Sequence, residues 1–291
     1  MTAIPANTRP LDGPAPRLET PPGATDCHIH LYLPGGAAQP GGPAIAQLAT
    51  VEDYRRVQAR LGLERVVVTQ PNAYQRDNRA LLESLTQLGT ETARGVAAVA
   101  ADTPLERLRE WHDKGVRGAR IMNLPGGAVT HASMPEVERL IRPFGWHLMV
   151  QFNGRHLDDY LEGLRRVETD YFIDHVGKFM PPVSADDRRV DAILRLLDRG
   201  NAWFKLCAAY EASVTGGPAW DDVGAIARRV IAHAPDRILW GSNWPHVGVP
   251  REQYPDDAEQ LDVLLDWASP ETQRRILVDN PATLYGFPTA S

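Results

Sequence analysis

Short apolar runs alternate with segments of helical periodicity along most of the chain. The runs are rich in β-branched and aromatic residues, as buried strands usually are. Eight of them occur, at Ala24–His30, Arg65–Gln70, Arg94–Val99, Val116–Met122, Trp146–Phe152, Tyr171–Val176, Ala202–Cys207 and Arg237–Ser242. Strands that alternate with helices pair in parallel, so the pattern predicts an α/β fold.

The segments between the runs carry the signals of amphipathic helices. Between Val190 and Leu197, four apolar residues fall at positions i, i+3, i+4 and i+7. Thr50 followed by Asp53 predicts a capped helix start, and Gly62 predicts the end of that helix. Eight strand–helix units without a long linker favour a closed barrel over an open sheet. We therefore predict a (β/α)₈ TIM barrel that forms a single domain over residues 24–291.

The proline-rich residues 1–23 predict an N-terminal arm that lies outside the fold. They lack the continuous apolar core of a secretory signal. No stretch of the chain approaches the roughly 18 apolar residues that span a bilayer. Cys27 and Cys207 are the two cysteines, which indicates neither a disulfide framework nor a thiolate zinc site. These features predict a cytoplasmic protein.

Charge and composition narrow the classes of partner. The chain is 43% hydrophobic and 23% charged, which is typical of a globular rather than a disordered protein. Its formal net charge of -6 argues against nucleic acid as the main partner, although a local basic pocket remains compatible with it. We predict a small-molecule substrate and neither a nucleic-acid nor a membrane partner. The sequence leaves the oligomeric state open.

Catalytic residues of such a barrel lie at the C-terminal ends of its strands. His28 and His30 end the first run, and residues i and i+2 share one face of a strand. Both imidazoles should therefore point into the barrel, where they could hold a metal ion or polarise a substrate carbonyl. The alternative is that His28 and His30 are ordinary interior residues that are hydrogen-bonded and have no functional role. Their position at the strand end favours a functional role.

Four segments resemble the amidohydrolase superfamily, in the same order along the chain. They are DCHIHLY at the first run, DHVGKF at the sixth, RILWGSNWPH at the eighth and NPATLYGF near the C-terminus. Three further segments are similar to a lactone-acting group within it, namely LYLPGGAAQPGGPA, TQPNAYQRDN and GARIMNLPGGAV. That group includes lactonases of pyrone dicarboxylates and isomerases of galactarolactone. The resemblance runs from about Gly23 to Gly286, and it implies an enzyme that acts on a lactone without a cofactor.

Two positions depart from the metal-dependent members of the superfamily. Those members carry a histidine on the fifth strand and an aspartate on the eighth, where this chain has Gln151 and Asn243. An amide is a poor metal ligand beside a carboxylate, and it cannot serve as a general base. We therefore predict that no metal is needed. A zinc site formed by His28, His30 and His175 is the alternative.

Asn243 also bears on the type of reaction. An aspartate there can deprotonate an attacking water, whereas an isomerase uses a hydroxyl of the substrate itself and gains from proximity. The isomerases that the chain resembles have asparagine here, and the lactonases have aspartate. We predict conversion of a 1,5-lactone to a 1,4-lactone of a sugar diacid by intramolecular acyl transfer. The alternatives are a lactonase, a zinc-dependent amidohydrolase or decarboxylase, and a non-catalytic barrel that binds sugar acids.

The remaining candidates are assigned by their chemistry. The three histidines would polarise the lactone carbonyl, and His246 would shuttle the proton of the attacking hydroxyl. Asp174 should point out of the barrel, away from His175, because adjacent residues of a strand face opposite sides. Arg120 should bind a substrate carboxylate through its guanidinium fork. Further substrate contacts are expected from Asn72, Arg76, Gln151, Lys178, Tyr210 and Trp244.

Overall fold

The computed structural model describes residues 4–288, in which eight parallel strands are each followed by a helix. Strands β1 to β8 are Thr25–Ile29, Arg65–Thr69, Ala93–Ala97, Val116–Met122, His147–Gln151, Tyr171–Ile173, Ala202–Cys207 and Ile238–Gly241. They follow one another in chain order around a single sheet. A parallel bridge between Ile29, the last residue of β1, and Trp244, which follows β8, joins the first strand to the end of the last one. The prediction of a (β/α)₈ TIM barrel is confirmed.

The helices cover the outside of this barrel. Helices α1 to α10 are Val51–Leu61, Arg79–Leu88, Leu105–Asp113, Met134–Ile141, Leu157–Arg166, Arg188–Leu197, Asp221–His233, Asp257–Trp267, Pro270–Arg274 and Asn280–Tyr285. The predicted capping box of α1 is present, since the Thr50 side chain accepts from the Asp53 amide and Asp53 accepts from the Thr50 amide. Gly62 ends α1 with a φ of 68°. No helix within residues 4–288 is long and apolar enough to cross a membrane.

Apolar side chains fill the lower part of the barrel. Inward-facing residues of seven strands pack there into one cluster, which consists of Cys27, Val67, Val96, Met149, Phe172, Trp203 and Leu239, with the C-terminal residues Tyr285 and Phe287. Three buried polar side chains pack against this cluster, since the His147 ring contacts Tyr285, Lys205 lies over the Phe172 ring and Arg94 lies over the Phe287 ring. Most other polar interior residues lie at the C-terminal ends of the strands.

Residues 4–23 pack against the barrel. Leu11 and Leu18 are buried, and the amide of Leu18 donates to the Asp262 carboxylate of α8 at 2.9 Å. Arg17 donates to the same carboxylate at 3.0 Å. This corrects the prediction of an arm outside the fold, because burial of the two leucines favours docking in spite of the proline content. Residues 1–3 of the predicted arm and 289–291 of the predicted domain lie outside the described residues.

Strand β6 is shorter than the apolar run that predicted it. The run extended to Val176, but the strand ends at Ile173. His175, Val176 and Lys178 then adopt positive φ values of 53°, 50° and 43°. Left-handed backbone interrupts the alternation of side chains between the two faces of a strand. The turn therefore decides where the polar residues after β6 point.

Candidate active site

Buried polar side chains collect at the C-terminal ends of the strands. The predicted histidines meet there, since the ring centroids of His28 and His30 lie 4.9 Å apart and those of His28 and His175 lie 5.1 Å apart. All three rings are buried. They come from β1, from the residue just after it and from the turn after β6. The structure thus brings together the residues that sequence reasoning placed at the centre of the site.

The His28–His30 pair has a defined hydrogen-bond direction. Nδ1 of His30 lies 2.8 Å from the carbonyl oxygen of Thr69, which can only accept, so this nitrogen carries a proton. Burial, together with the charge of Arg120, lowers the pKa of His30 to about 3. The ring is therefore neutral, and its Nε2 lone pair faces Nε2 of His28 at 3.3 Å. A hydrogen bond across this gap requires His28 to donate.

Asp174 lies inside the barrel, so the expectation that it points outward and away from His175 is wrong. Its Oδ2 lies 2.7 Å from Nδ1 of His175, and its Oδ1 lies 3.5 Å from Nδ1 of His28 and 3.9 Å from Nζ of Lys205. Phe172 faces the barrel interior, and Asp174 follows it by two residues in extended backbone with a φ of -89° and a ψ of 163°, so alternation brings Asp174 inward. The residue that departs from alternation is His175, which has a φ of 53°. Burial favours a raised pKa for Asp174, but His175, His28 and Lys205 outweigh it and hold that pKa well below its usual value. Asp174 is a buried anion.

A second set of contacts joins the loops after β7 and β8. Nδ2 of Asn243 lies 2.8 Å from the hydroxyl of Tyr210 and 3.3 Å from Oε1 of Glu211. The Tyr210 hydroxyl lies 3.1 Å from Nδ1 of His246, and Nε2 of His246 lies 2.9 Å from Oδ1 of Asp257. Three predicted site residues thus form one connected network with two carboxylates.

Sequence reasoning missed both of these carboxylates. Glu211 lies in the turn after β7, where it pairs with Lys178, and its Oε1 is 3.9 Å from Nε2 of His175. Burial favours a raised pKa for Glu211, but His175 and Lys178 outweigh it and hold that pKa below its usual value. An acidic residue close behind a strand end was the available signal. Asp257 is the first residue of α8 and directly follows the capping residue Asp256. In the sequence it therefore looks like a second acidic residue at a helix start, which gives no sign of a role in the site.

Arg120 lies on β4, next to His30. Its Nη1 donates to the carbonyl oxygen of Gln70 at 2.7 Å, and its Nη2 donates to Oε1 of Gln151 at 3.1 Å. Within residues 4–288, its buried Nε has no hydrogen-bond partner. Buried donors are rarely left without a partner, so this nitrogen is available to a ligand. The Gln151 oxygen, in contrast, is occupied by the guanidinium group.

The other predicted substrate contacts are distributed around these residues. Asn72 and Arg120 both line one small cavity. Trp244 is buried, and its carbonyl oxygen accepts from the amide of His30. This hydrogen bond joins the end of β1 to the loop after β8. The Arg76 side chain is 52% exposed and pairs with Asp102, so it points to solvent and not to the histidines.

Charged groups surround the histidines. Arg120, Lys178 and Lys205 are cations, and Asp174, Glu211 and Asp26 are carboxylates, of which Asp26 accepts from the His28 amide at 3.0 Å. Lys205 lies near Asp174 and Lys178 pairs with Glu211, whereas Arg120 has no carboxylate partner within residues 4–288. Arg120 is therefore the cation with which the carboxylate of a ligand could pair.

A metal centre was one alternative for this site. His28, Asp174, His175 and Cys207 place potential donor atoms within 4.8 Å of one another. However, Lys205 lies 3.9 Å from the Asp174 carboxylate and competes with a metal for it. Burial also raises the pKa of the Cys207 thiol well above its usual value, which keeps it protonated. These residues fit a divalent metal poorly, and we assign no chemical step to one.

Comparison with known proteins establishes the family. A family model described as Amidohydrolase matches residues 25–287. The chain belongs to this amidohydrolase family. D-galactarolactone isomerase of Agrobacterium fabrum is 42% identical over 95% of this chain and 96% of its own length. A hydrolase of 2-pyrone-4,6-dicarboxylate from Comamonas testosteroni is 31% identical over 93% and 92%.

A solved structure extends the similarity to three dimensions. The apo crystal structure of an Agrobacterium tumefaciens protein matches with a TM-score of 0.93 and 40% identity, and it covers 97% of this chain and 100% of the other. The predicted membership of the amidohydrolase superfamily is confirmed, as is the prediction that the chain is an enzyme of this kind.

Proposed function

We propose that this amidohydrolase isomerises a sugar-diacid lactone, converting a 1,5-lactone to a 1,4-lactone without a metal. The observation that carries the proposal is Asn243 at the end of β8, held by Tyr210 and Glu211. An amide cannot take a proton from water, so the site lacks the base that a hydrolase would have at this position. The 42% identical relative named D-galactarolactone isomerase supports the same reaction.

The nearby carboxylates do not replace that base. Asp174 is paired with His175 and Lys205, and Glu211 is paired with Lys178. The pKa values of both carboxyl groups are held below their usual range by these cations, although burial opposes the effect. A carboxylate with a low pKa is a weak base. Activation of water is therefore disfavoured, which leaves a hydroxyl of the substrate as the nucleophile.

The proposed reaction needs no second substrate. In this reaction the lactone carbonyl would lie against the cluster of His28, His30 and His175, where the positive charges of Arg120 and Lys205 favour the oxyanion as it forms. A substrate hydroxyl attacks the carbonyl carbon, the original ring C–O bond breaks, and the proton of the attacking hydroxyl passes to the departing ring oxygen. Both groups belong to one molecule, so proximity supplies much of the rate. Arg120 binds the free carboxylate through its available Nε.

Lactone hydrolysis is the second candidate, because the 31% identical relative is named as a hydrolase. The two reactions are distinguished by following aldaric-acid lactones with the purified enzyme by proton NMR, and by mass spectrometry of the products formed in water enriched in ¹⁸O. Isomerisation gives the lactone of the other ring size, and this product contains no ¹⁸O from water. Hydrolysis gives the open diacid with one labelled carboxylate oxygen. An open, labelled diacid formed faster than in the enzyme-free control, with no new lactone, would contradict the proposal.

The small-molecule substrate is supported by the lactone named in the isomerase relative. The cytoplasmic location stays a prediction. It is supported by Cys27 and Cys207, which are both free and buried, as thiols of a reducing compartment commonly are. Absence of nucleic-acid and membrane partners also stays a prediction.

A further inference from the structure

A continuous chain of hydrogen bonds leads from the catalytic centre to α8. It runs from Asn243 through Tyr210 and His246 to Asp257, with links of 2.8, 3.1 and 2.9 Å. His246, Asp257 and Asn243 are 3%, 4% and 4% exposed. All three groups are buried, so each link of the chain needs one donor and one acceptor.

The acceptor at the far end sets the direction of the chain. The Asp257 carboxylate can only accept, so Nε2 of His246 carries the proton of that link. A neutral His246 then has its lone pair on Nδ1, which accepts the hydroxyl proton of Tyr210. The Tyr210 oxygen remains free to accept from Nδ2 of Asn243. A cationic His246 would instead donate to Tyr210, whose own hydroxyl proton would then lose this acceptor.

Glu211 fixes the orientation of the Asn243 amide independently. Nδ2 of Asn243 lies 3.3 Å from Oε1 of Glu211, and a carboxylate cannot donate. The amide nitrogen must therefore face Tyr210 and Glu211, which turns Oδ1 the other way. Within residues 4–288, this buried Oδ1 has no hydrogen-bond partner. The backbone amide of Asn243 donates to the carbonyl oxygen of His28 at 2.9 Å, so the residue lies directly beside the imidazoles.

We propose that Oδ1 of Asn243 accepts a hydrogen bond from the attacking hydroxyl of the substrate, and that Tyr210, His246 and Asp257 are positioning residues that hold the amide in this orientation. The proposal rests on the proposed lactone isomerisation. An amide oxygen directs the hydroxyl without removing its proton, which stays available for the departing ring oxygen. A carboxylate at the same place would remove a proton from water as readily as from the substrate.

The first test measures the tautomer of the neutral form of His246 by ¹⁵N NMR in the wild-type enzyme. The proton is expected on Nε2. A proton on Nδ1 would overturn the proposal. This measurement needs no substrate. It therefore tests the orientation of the chain separately from the proposed function, which the lactone assay tests.

The second test is kinetic and compares Asp257→Asn with Asp266→Asn. Asp266 is an exposed residue of the same helix and serves as the control. We expect Asp257→Asn to shift the proton of His246 to Nδ1 and to lower kcat about 10- to 100-fold with little change in KM, the size typical when a partner that orients a catalytic ligand is lost. The control should match the wild type in both readouts. Equal kcat values for the two variants would overturn the proposal.

Tyr210→Phe keeps the test decisive if Asp257→Asn does not fold. It removes one hydroxyl and leaves the ring in place, so it breaks the link between His246 and Asn243. The expected result is again a fall in kcat at nearly constant KM. An unchanged kcat in this variant would show that the chain does not position Asn243.

Discussion

The two sides of the active site stabilise their buried polar groups in different ways. On the side of β1 and β6, the Asp174 anion lies near the Lys205 cation and between the rings of His28 and His175, so a full positive charge opposes a full negative one. On the side of β7 and β8, Tyr210 and His246 belong to a chain in which each link has one donor and one acceptor. In the proposed reaction, the first side would stabilise charge on the lactone carbonyl. The second side would direct a hydroxyl of the substrate towards that carbonyl.

Removal of the Asp174 carboxylate, which breaks the charged side, should have the largest effect on the free energy of unfolding. Asp174→Asn leaves Lys205, which has no exposed side-chain surface, without its carboxylate. We expect the free energy of unfolding to fall by about 3–5 kcal/mol, because removing one partner leaves the other charge buried and unpaired. Chemical denaturation measures this change.

The matched control is Glu162→Gln, which removes a carboxylate from the exposed pair with Arg166. That variant should change the free energy of unfolding by less than about 1 kcal/mol. Similar losses in the two variants would mean that burial of Asp174 has no special cost.

The substrate-binding role of Arg120 predicts a smaller effect. Arg120→Lys keeps the charge but loses the guanidinium fork and its Nε donor. We expect substrate binding to weaken by about 1–3 kcal/mol, because a buried carboxylate would lose a charge-assisted hydrogen bond. The measurement is the KM of the lactone and the Kd of a competitive diacid. Unchanged values would assign Arg120 to structure alone.

The third prediction concerns the pH dependence of stability caused by His147, a buried histidine that is not one of the proposed catalytic residues. Burial, with Lys205, lowers the pKa of His147 from 6.5 to about 3, so the unfolded chain binds this proton at higher pH than the folded one. The free energy of unfolding should therefore fall as the pH drops from 6.5 towards 3, by at most about 1.4 kcal/mol per pH unit for each such histidine. His147→Phe should flatten this slope. An unchanged slope would show that His147 is protonated in the folded enzyme.

Removal of metal should have the smallest effect. Lys205 competes with a divalent ion for the Asp174 carboxylate and the Cys207 thiol stays protonated, so activity should survive chelation followed by dialysis. Metal analysis of the same sample should give less than one zinc per chain. Lost activity that returns with added zinc would contradict this account and favour the three-histidine site.

The sequence located the barrel well because buried parallel strands form continuous apolar runs. It located His28 and His30 because residues i and i+2 share a face, although the register of β1 is irregular between Asp26 and Ile29. The prediction for Asp174 was wrong because it started from an inward His175, whereas Asp174 continues the alternation from Phe172 and His175 departs from it with a φ of 53°. Local propensity gave no sign of the turn that follows β6. Glu211 and Asp257 escaped prediction because loop and helix-start carboxylates usually face solvent or cap helices.

The central claim is that Asn243 selects isomerisation over hydrolysis, and Asn243→Asp tests it most directly. A carboxylate at this position would restore the base for water, and general-base assistance is worth about 10²–10⁴-fold. We expect hydrolysis to become measurable and isomerisation to fall, because an anion opposes the developing oxyanion. Proton NMR of both products, for wild type and variant, gives the ratio. A ratio that favours ring opening in the variant supports the claim, and efficient hydrolysis by the wild type with no increase in the variant would contradict it.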